Sequence, residues 1–336
     1  MKKNVTISDI AAHANVSKST VSRVLNDTTP VNEEKRQAVL AAMKEMNFEP
    51  NIFARGLASG QSYTVGVVTQ NLGSPFYDSI SQGVVTGLAD TNYSPIFADG
   101  QWQPDIGKAV VKTLIGRMVD GLIVIGSRLK PDFLEDLKQT IPTLLVGTQV
   151  EGWENRCLFI DNEQSGWEAT QHLIELGHTQ IAHITGIADH QDSIRRLNGY
   201  RRALKEANIE VDEDLIYEGN FDGESGLAGV ETLLKRGKPF TAIFAANDTM
   251  AFGARLGLYR QGIRVPEDVS VVGFDDQNEA AFVTPPLTTI RQPAEEIGIA
   301  AADILLKLIN KKDYKIDKLK AKLILRESTC APNSDA

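Results

Sequence analysis

The sequence predicts an α/β protein. A three-helix helix-turn-helix headpiece and a hinge helix open the chain, and a body of two doubly wound parallel-sheet lobes follows. Three observations carry this. Residues Thr6 to Asn26 read as two short helices joined by a tight turn. From Tyr63 onward, short apolar runs alternate with helical stretches, the pattern of parallel sheets covered by helices on both faces. That alternation fills two successive stretches of about a hundred residues, each the size of one lobe.

The N-terminal elements follow from local chemistry. Thr6 with Asp9 three residues on is a capping-box pattern, and Ile7, Ile10, Ala11 and Ala14 share one helical face. Asn15 tolerates the left-handed backbone that stops a helix. Ser17 can cap a second helix, whose Val21, Val24 and Leu25 point inward. Its other face is polar and basic: Lys18, Ser19, Ser22, Arg23 and the terminal Asn26. Such a helix enters a major groove and reads base edges from its N-terminal half. Asn32 caps a third helix with Glu33 and Glu34 in its first turn and Val39, Leu40, Met43 and Met46 as its expected apolar side. Pro50 stops that helix. Ile52 to Leu57 can form one or two further turns, but Gly56 and Gly60 weaken them, so this segment should order only on a partner.

With these residues in view, the chain resembles the lactose-repressor (LacI/GalR) family of transcription regulators. VTISDIAAHANVSKSTVSRVLN matches that family's N-terminal signature and PNIFARGLASG its hinge. Further matches run almost to the C-terminus: IDNEQSG, LGHTQIAHITG, RLNGYRRAL, AANDTMAFGA, VPEDVSVVGFDD and PPLTTIRQP. The resemblance implies a homodimer on a palindromic double-stranded operator. Lys18, Ser19 and Arg23 would read bases, Ser22, Asn26 and Arg55 would contact the DNA beside them, and Leu57 would wedge into the minor groove. It also implies a periplasmic-binding-protein-like body with three crossings between lobes, near Asp161–Asn162, Ile290–Gln292 and Leu325–Glu327. The expected domains are then a headpiece at 1–49 and a hinge at 50–62. A first lobe takes 63–162 plus 293–325, and a second takes 163–292 plus 326–336.

Charge is distributed to suit this. Residues 1–60 hold eight Lys and Arg against six Asp and Glu, a net +2, so the remainder carries −11 of the chain's −9 total. A mildly basic head on an acidic body suits a protein that touches DNA with its head alone. Two cysteines, Cys157 and Cys330, suggest neither a disulfide framework nor a metal cluster. No apolar run follows Lys2 and Lys3, and no stretch is apolar enough for a membrane span. A cytoplasmic location, no cofactor and no membrane partner are expected.

In the body, strands are expected at 64–68, 95–99, 121–126, 142–147, 156–161, 181–186, 215–219, 241–247 and 269–275, with extended segments at 287–293 and 320–328. Helices are expected near 77–90, 105–117, 131–139, 164–176, 194–208, 225–235, 248–261 and 294–310. Gly177-His178 reads as a helix stop with His178 capping, and Asp248 as the cap of the helix it opens.

Open α/β sheets bind ligands beyond the carboxyl ends of their strands. Residues following the strands there are Phe76, Tyr77, His190, Arg196, Phe221, Asn247 and Asp275. Flat aromatic faces cover the C–H faces of a sugar ring, and carboxylate, amide and guanidinium groups bridge its hydroxyls. The resemblance places the same residues at the family's effector positions. His190 stands where another branch has a basic residue that contacts a purine. Arg196 paired with Asp275 across an empty cleft, and Phe76 as core, are the structural alternatives. No nucleophile–base pair, phosphate loop or zinc motif appears, so no enzyme is expected. The expected function is a sugar-responsive repressor of carbohydrate uptake or breakdown genes. A purine- or other metabolite-responsive regulator, a sugar transport receptor and a ligandless architectural DNA-binding protein are the alternatives.

Overall fold

The computed structural model describes residues 5–26, 30–48 and 61–333, and the chain divides into two compact units, Met1–Tyr63 and Thr64–Ala336. The expected hinge helix, with Arg55 and Leu57, lies outside the described residues.

In the first unit, α1 (Ile7–His13) starts at a complete capping box: Asp9 N donates to Thr6 Oγ1 at 3.4 Å and Thr6 N to Asp9 Oδ2 at 2.8 Å. It ends before Asn15, whose φ of +51° turns the chain. Helix α2 (Lys18–Asn26) is capped by Ser17, whose Oγ accepts from Thr20 N at 3.2 Å. Asn32 caps α3 (Glu33–Glu45) through Glu34 N at 2.9 Å. Ile10, Val21 and Val39 are fully buried where the three helices meet, with Ala11 and Ala42 beside them. Leu40 was expected inside but is 43% exposed. The buried stripe of α3 runs Val39, Ala42, Met43, Met46, and Leu40 sits one residue, about 100° of helix, away from Val39.

The second unit holds two sheets. Strands β1 (Thr64–Thr69), β2 (Ser94–Asp99), β3 (Gly121–Ile125), β4 (Thr143–Val146) and β5 (Cys157–Leu158) pair in the order β2-β1-β3-β4-β5, all parallel. Strands β6 (Ile181–Thr185), β7 (Ile216–Glu218), β8 (Ala242–Ala245), β9 (Ser270–Asp275), β10 (Thr288–Arg291) and β11 (Lys322–Ile324) pair in the order β11-β10-β9-β8-β6-β7. All those pairs are parallel except β10 with β11. In each sheet the order reverses once, between β1 and β3 and between β6 and β8. A ligand cleft is expected at such points, beyond the carboxyl ends.

Helices α4 (Pro75–Leu88), α5 (Pro104–Gly116) and α6 (Pro131–Thr140) belong to the first lobe, and each takes proline in its first turn, where no N–H is missed. Helices α7 (Asn162–Glu175), α8 (Gln191–Glu206), α9 (Gly223–Arg236) and α10 (Asp248–Arg260) belong to the second. The chain passes between lobes ahead of α7 and again after β10, where α11 (Ala294–Ile309) returns to pack on α4. The third return comes earlier than expected. Lys322–Ile324, assigned by sequence to the first lobe, already pairs with β10 in the second sheet. Asp276 ties these connections together, accepting from Arg291 Nε at 2.5 Å and Arg326 Nη2 at 2.6 Å.

Three helix pairs are built alike: α4 with α11, α7 with α8, and α9 with α10. Each helix contributes a glycine at the crossing: Gly83 and Gly298, Gly166 and Gly199, Gly226 and Gly253. A Cβ on Gly298 would lie 2.1 Å from Ile80 O, one on Gly199 2.1 Å from Glu163 O, and one on Gly253 1.9 Å from Gly223 O. The backbones approach too closely for any side chain. His178 is also not a simple cap. Its ring is buried and joins three segments, Nδ1 to Thr241 Oγ1 at 2.8 Å and Nε2 to Ser270 Oγ at 3.1 Å and Cys330 O at 2.9 Å.

Close glycine packing predicts opposite outcomes for one substitution at two sites. Gly253→Ala should cost about 1–3 kcal/mol by overpacking. Gly116→Ala, in α5 with nothing within 4 Å of its Cβ position, should gain roughly 0.5–1 kcal/mol from reduced backbone entropy. Urea unfolding of both variants checks this, and equal changes at the two sites would contradict the packing argument.

Candidate functional site

The carboxyl ends of both sheets enclose a cavity of about 330 Å³. All seven body residues singled out from sequence line it. From the first lobe come Phe76 and Tyr77 at the start of α4, their rings edge to face at 5.4 Å. Gly126 has a φ of +62°, and a Cβ there would meet Tyr77 Oη at 2.6 Å, so glycine makes room for this phenol. Burial pushes the Tyr77 hydroxyl well above its ordinary pKa, with Asp192 and Asp275 adding to the shift.

The second lobe supplies the polar groups. His190 is the N-cap of α8, its Nδ1 accepting from Asp192 N at 3.3 Å. Burial lowers its pKa; Asp192 opposes the shift and Arg196 and Arg128 add to it. Arg196, six residues further on, is 3% exposed. Its Nε donates to Asn162 Oδ1 at 2.9 Å, its Nη1 to Ala246 O at 2.5 Å, and its guanidinium lies 3.7 Å from the centroid of Phe274. Asn162 Nδ2 donates onward to Asp192 Oδ1 at 2.9 Å.

Asn247 caps α10 with Oδ1, accepting from Met250 N at 2.8 Å, and its Nδ2 donates to Phe221 O at 2.9 Å. That bond steadies Phe221, which sits at a φ of +71°. The ring of Phe221 covers Gly186, where a Cβ would lie 2.0 Å from Cζ. Asp248, expected to be the cap of α10, is instead fully buried and accepts from Gln277 N at 2.7 Å and Thr289 Oγ1 at 2.6 Å. Burial, and then the neighbouring Asp275, hold its carboxyl well above the usual range.

Asp275 ends β9 at a φ of +108° and accepts from Gln292 Nε2 at 2.7 Å. The alternative of an Arg196–Asp275 pair across the cleft is corrected on two counts. Both residues belong to the second lobe, and no ion pair joins them among the described residues. The expected second lobe of 163–292 already holds both positions, and the shared sheet of β6, β8 and β9 agrees with it.

Sequence reasoning missed Trp102, from the loop after β2. Its ring stacks parallel to Phe221 (6.0 Å, 19°) and stands edge-on to His190 (5.0 Å) and Tyr77 (5.7 Å). The signal available was its place shortly after a strand end. It also missed the contacts across the cleft: Arg128 bonded to Asp189, and Gln149 exchanging two bonds with Gln191, at 2.7 and 3.0 Å.

In the headpiece, Lys18, Ser19 and Arg23 are exposed on one face of α2, Ser22 is half-buried, and Asn26 is the last residue of the helix. Arg55 and Leu57 are outside the described residues.

The profile of bacterial regulatory proteins of the lacI family matches residues 6–51, and that of the periplasmic binding protein-like domain matches residues 170–329. Catabolite control protein A of Priestia megaterium is 34% identical over 97% of this chain and 99% of its own length. The chain belongs to the lacI family of bacterial regulatory proteins. The ribose operon repressor of Escherichia coli (strain K12) is 34% identical over 96% of this chain and 98% of its own. The transcriptional repressor PurR of Vibrio atlanticus is 34% identical over 92% and 93%. Among solved structures, the Lac repressor dimer bound to operator and an anti-inducer superposes with a TM-score of 0.88, at 30% identity over 98% of this chain and all of that one. A complex of the regulator CelR with cellobiose gives 0.73, at 34% identity over 97% of this chain and all of that one. Members of this family are transcriptional regulators. No described helix is long and apolar enough to cross a membrane.

Burial raises the pKa of Asp275 to about 6, while Arg196, Gln292 and Gln277 pull it down and Asp192 pushes it up. Tyr77 and Asp248 are its other titratable neighbours. The folded protein thus holds this proton more tightly than the unfolded chain, whose carboxyl titrates near 4. Stability from the protonated form is fully present below about pH 4 and lost as pH rises through about 6. Asp275→Asn should therefore gain in melting temperature relative to the parent between pH 4.5 and 7.5. A difference that stays constant across this range would remove Asp275 as the titrating group.

Proposed function

We propose that this chain is a repressor that binds a palindromic operator as a homodimer, with operator affinity set by a sugar bound between the two lobes. The observation that carries the effector half is the partly enclosed cavity of aromatic rings, one buried guanidinium and carboxylates at the carboxyl ends of both sheets. It contains ring faces for C–H surfaces and convergent polar groups for hydroxyls. Phe76, Tyr77, His190, Arg196, Phe221, Asn247 and Asp275 are the effector contacts in this reading. Related proteins named for ribose and for cellobiose support a sugar. A purine, with hypoxanthine as the probe, is the competitor class to test, the metabolite-responsive alternative to a sugar, and relatives named PurR are as similar to the chain as the ribose operon repressor is.

In the same reading, residues 1–49 form the DNA-binding headpiece and 50–62 the hinge. The first lobe is 63–162 plus 293–325, with 322–324 reassigned to the second lobe, which takes 163–292 and the C-terminal segment. Lys18, Ser19 and Arg23 read bases from the major groove, Ser22, Asn26 and Arg55 contact the DNA around them, and Leu57 wedges the minor groove. Exposed Leu256, Tyr259 and Phe282 on the second lobe support self-association, since apolar area of this kind is costly to leave in water. Effector binding changes the relation of the lobes, and through two hinges in one dimer it changes operator affinity. The protein acts in the cytoplasm and catalyses no reaction.

Two measurements test this. Arg23→Ala should weaken binding to a selected operator by about 1–3 kcal/mol and binding to random DNA much less; equal losses in anisotropy titrations would make Arg23 a phosphate contact. Asp275→Asn should bind operator like the parent without sugar and lose the sugar-dependent change in affinity. A variant that still responds at the parent's sugar concentrations would take Asp275 out of the site.

A further inference from the structure

Trp102 is delivered to the cleft by a built loop. Gly100 N donates to Thr69 O at 2.8 Å, Gln101 N to Asp99 Oδ1 at 2.8 Å, and Arg128 Nη1 to Trp102 O at 3.0 Å. Gln101 and Trp102 both adopt left-handed backbone, φ +52° and +57°. For a bulky aromatic residue that conformation is strained and persists only where the surroundings impose it. The outcome is an indole of the first lobe held parallel to Phe221 of the second, on the cavity wall.

The charge of that wall is one-sided. Asp192, Asp222 and Asp275 line the cavity, with Arg196 the only cation among the described lining residues. Two of the five Arg196 N–H groups are already committed to Asn162 and Ala246. We propose that Trp102 is a specificity-determining residue: it supplies the first-lobe face on which a sugar ring lies, and the surrounding carboxylates restrict the site to uncharged sugars, excluding their phosphate esters.

This rests on the sugar reading above and makes it narrower. A pyranose presents axial C–H groups to a π face, and Trp offers the largest such face. Its hydroxyls donate to carboxylates, which accept only. A phosphate ester would add about 1.5 to 2 negative charges among three carboxylates in a partly enclosed site, where repulsion is weakly screened. A cavity of this volume stands at the small end of ligand sites, about 300–1,000 Å³, which suits one or two sugar rings.

Calorimetry on the full-length protein tests it, with glucose, maltose and cellobiose each paired with its 6-phosphate or 6′-phosphate ester, and with hypoxanthine as the non-sugar arm. At least one neutral sugar should bind, its ester at least about 100-fold more weakly, and Trp102→Ala should weaken the neutral sugar about tenfold or more while Trp102→Phe restores most of the affinity. Melting temperatures verify that both variants fold. Sugar binding should change the parent's tryptophan emission. In Trp102→Phe that change should disappear although calorimetric binding persists, because Trp153 and Trp167 do not line the cavity. Unchanged affinity in Trp102→Ala overturns the role of Trp102 and leaves the sugar reading standing. An ester that binds as well as its parent sugar overturns the charge restriction. Binding of hypoxanthine with no sugar bound, or no binding by any probe, overturns both the inference and the sugar reading beneath it.

Discussion

A guanidinium buried in a protein interior must be compensated or the fold will not hold it, because an uncompensated buried charge costs several kcal/mol. Arg196 is that group here. Asn162 Oδ1, Ala246 O and the face of Phe274 receive it, and Asn162 passes the connection on to Asp192. These partners come from four places: the first residue of α7, the end of β8, β9, and α8 itself. The neighbouring glycines serve the same end. Gly166 touches the backbone of Arg196 so closely that a Cβ would lie 2.5 Å from its carbonyl oxygen, which sets α7 directly against α8. The wall of the cleft is thereby fixed by helix packing well outside the cavity.

Around that fixed wall the contacts between lobes are of a different kind. Arg128 with Asp189 is an ion pair with an exposed carboxylate, and Gln149 with Gln191 is an amide exchange. Such contacts are weak individually and exchange readily with water. Trp102 against Phe221 and His190 adds aromatic contact area between the same two lobes. Asp276, by contrast, is nearly buried and holds both Arg291 and Arg326 beside the connecting segments. The connections are therefore tied firmly while the mouth is closed by replaceable bonds, a distribution suited to two lobes that respond to what lies between them.

The carboxylates show how local geometry assigns roles to identical side chains. Asp275 and Asp276 are adjacent, yet one is raised to about 6 by burial beside the cavity and the other balances two arginines. Asp248, one helix and one strand earlier in the chain, is buried behind them as an acceptor for Gln277 and Thr289. Positive φ at both Asp275 and Asp276 turns the chain sharply at the end of β9 and separates the two carboxylates.

Much of this was legible in the sequence because it depends on neighbours in the chain. Capping by Thr6, Ser17 and Asn32, the left-handed stop at Asn15 and the two periodicities are local, and they placed the helices and strands to within a few residues. The rule that ligands lie beyond strand ends then brought Phe76, Arg196, Asn247 and Asp275 to one cavity. What local pattern could not supply was the sheet each strand joins; the lobe of each cleft residue followed only from the family resemblance. Arg196 and Asp275 share a lobe because β6, β8 and β9 share a sheet, and 322–324 changes lobe because it pairs with β10. Trp102 and the ring of His178 took their roles from partners dozens of residues distant. Leu40 lies outside because it sits about 100° around α3 from Val39, off the stripe that meets α1 and α2. The sequence determined the elements and their chemistry; tertiary pairing alone decided which of them meet, since contact between distant segments depends on how sheets and helices pack and not on any one segment's composition.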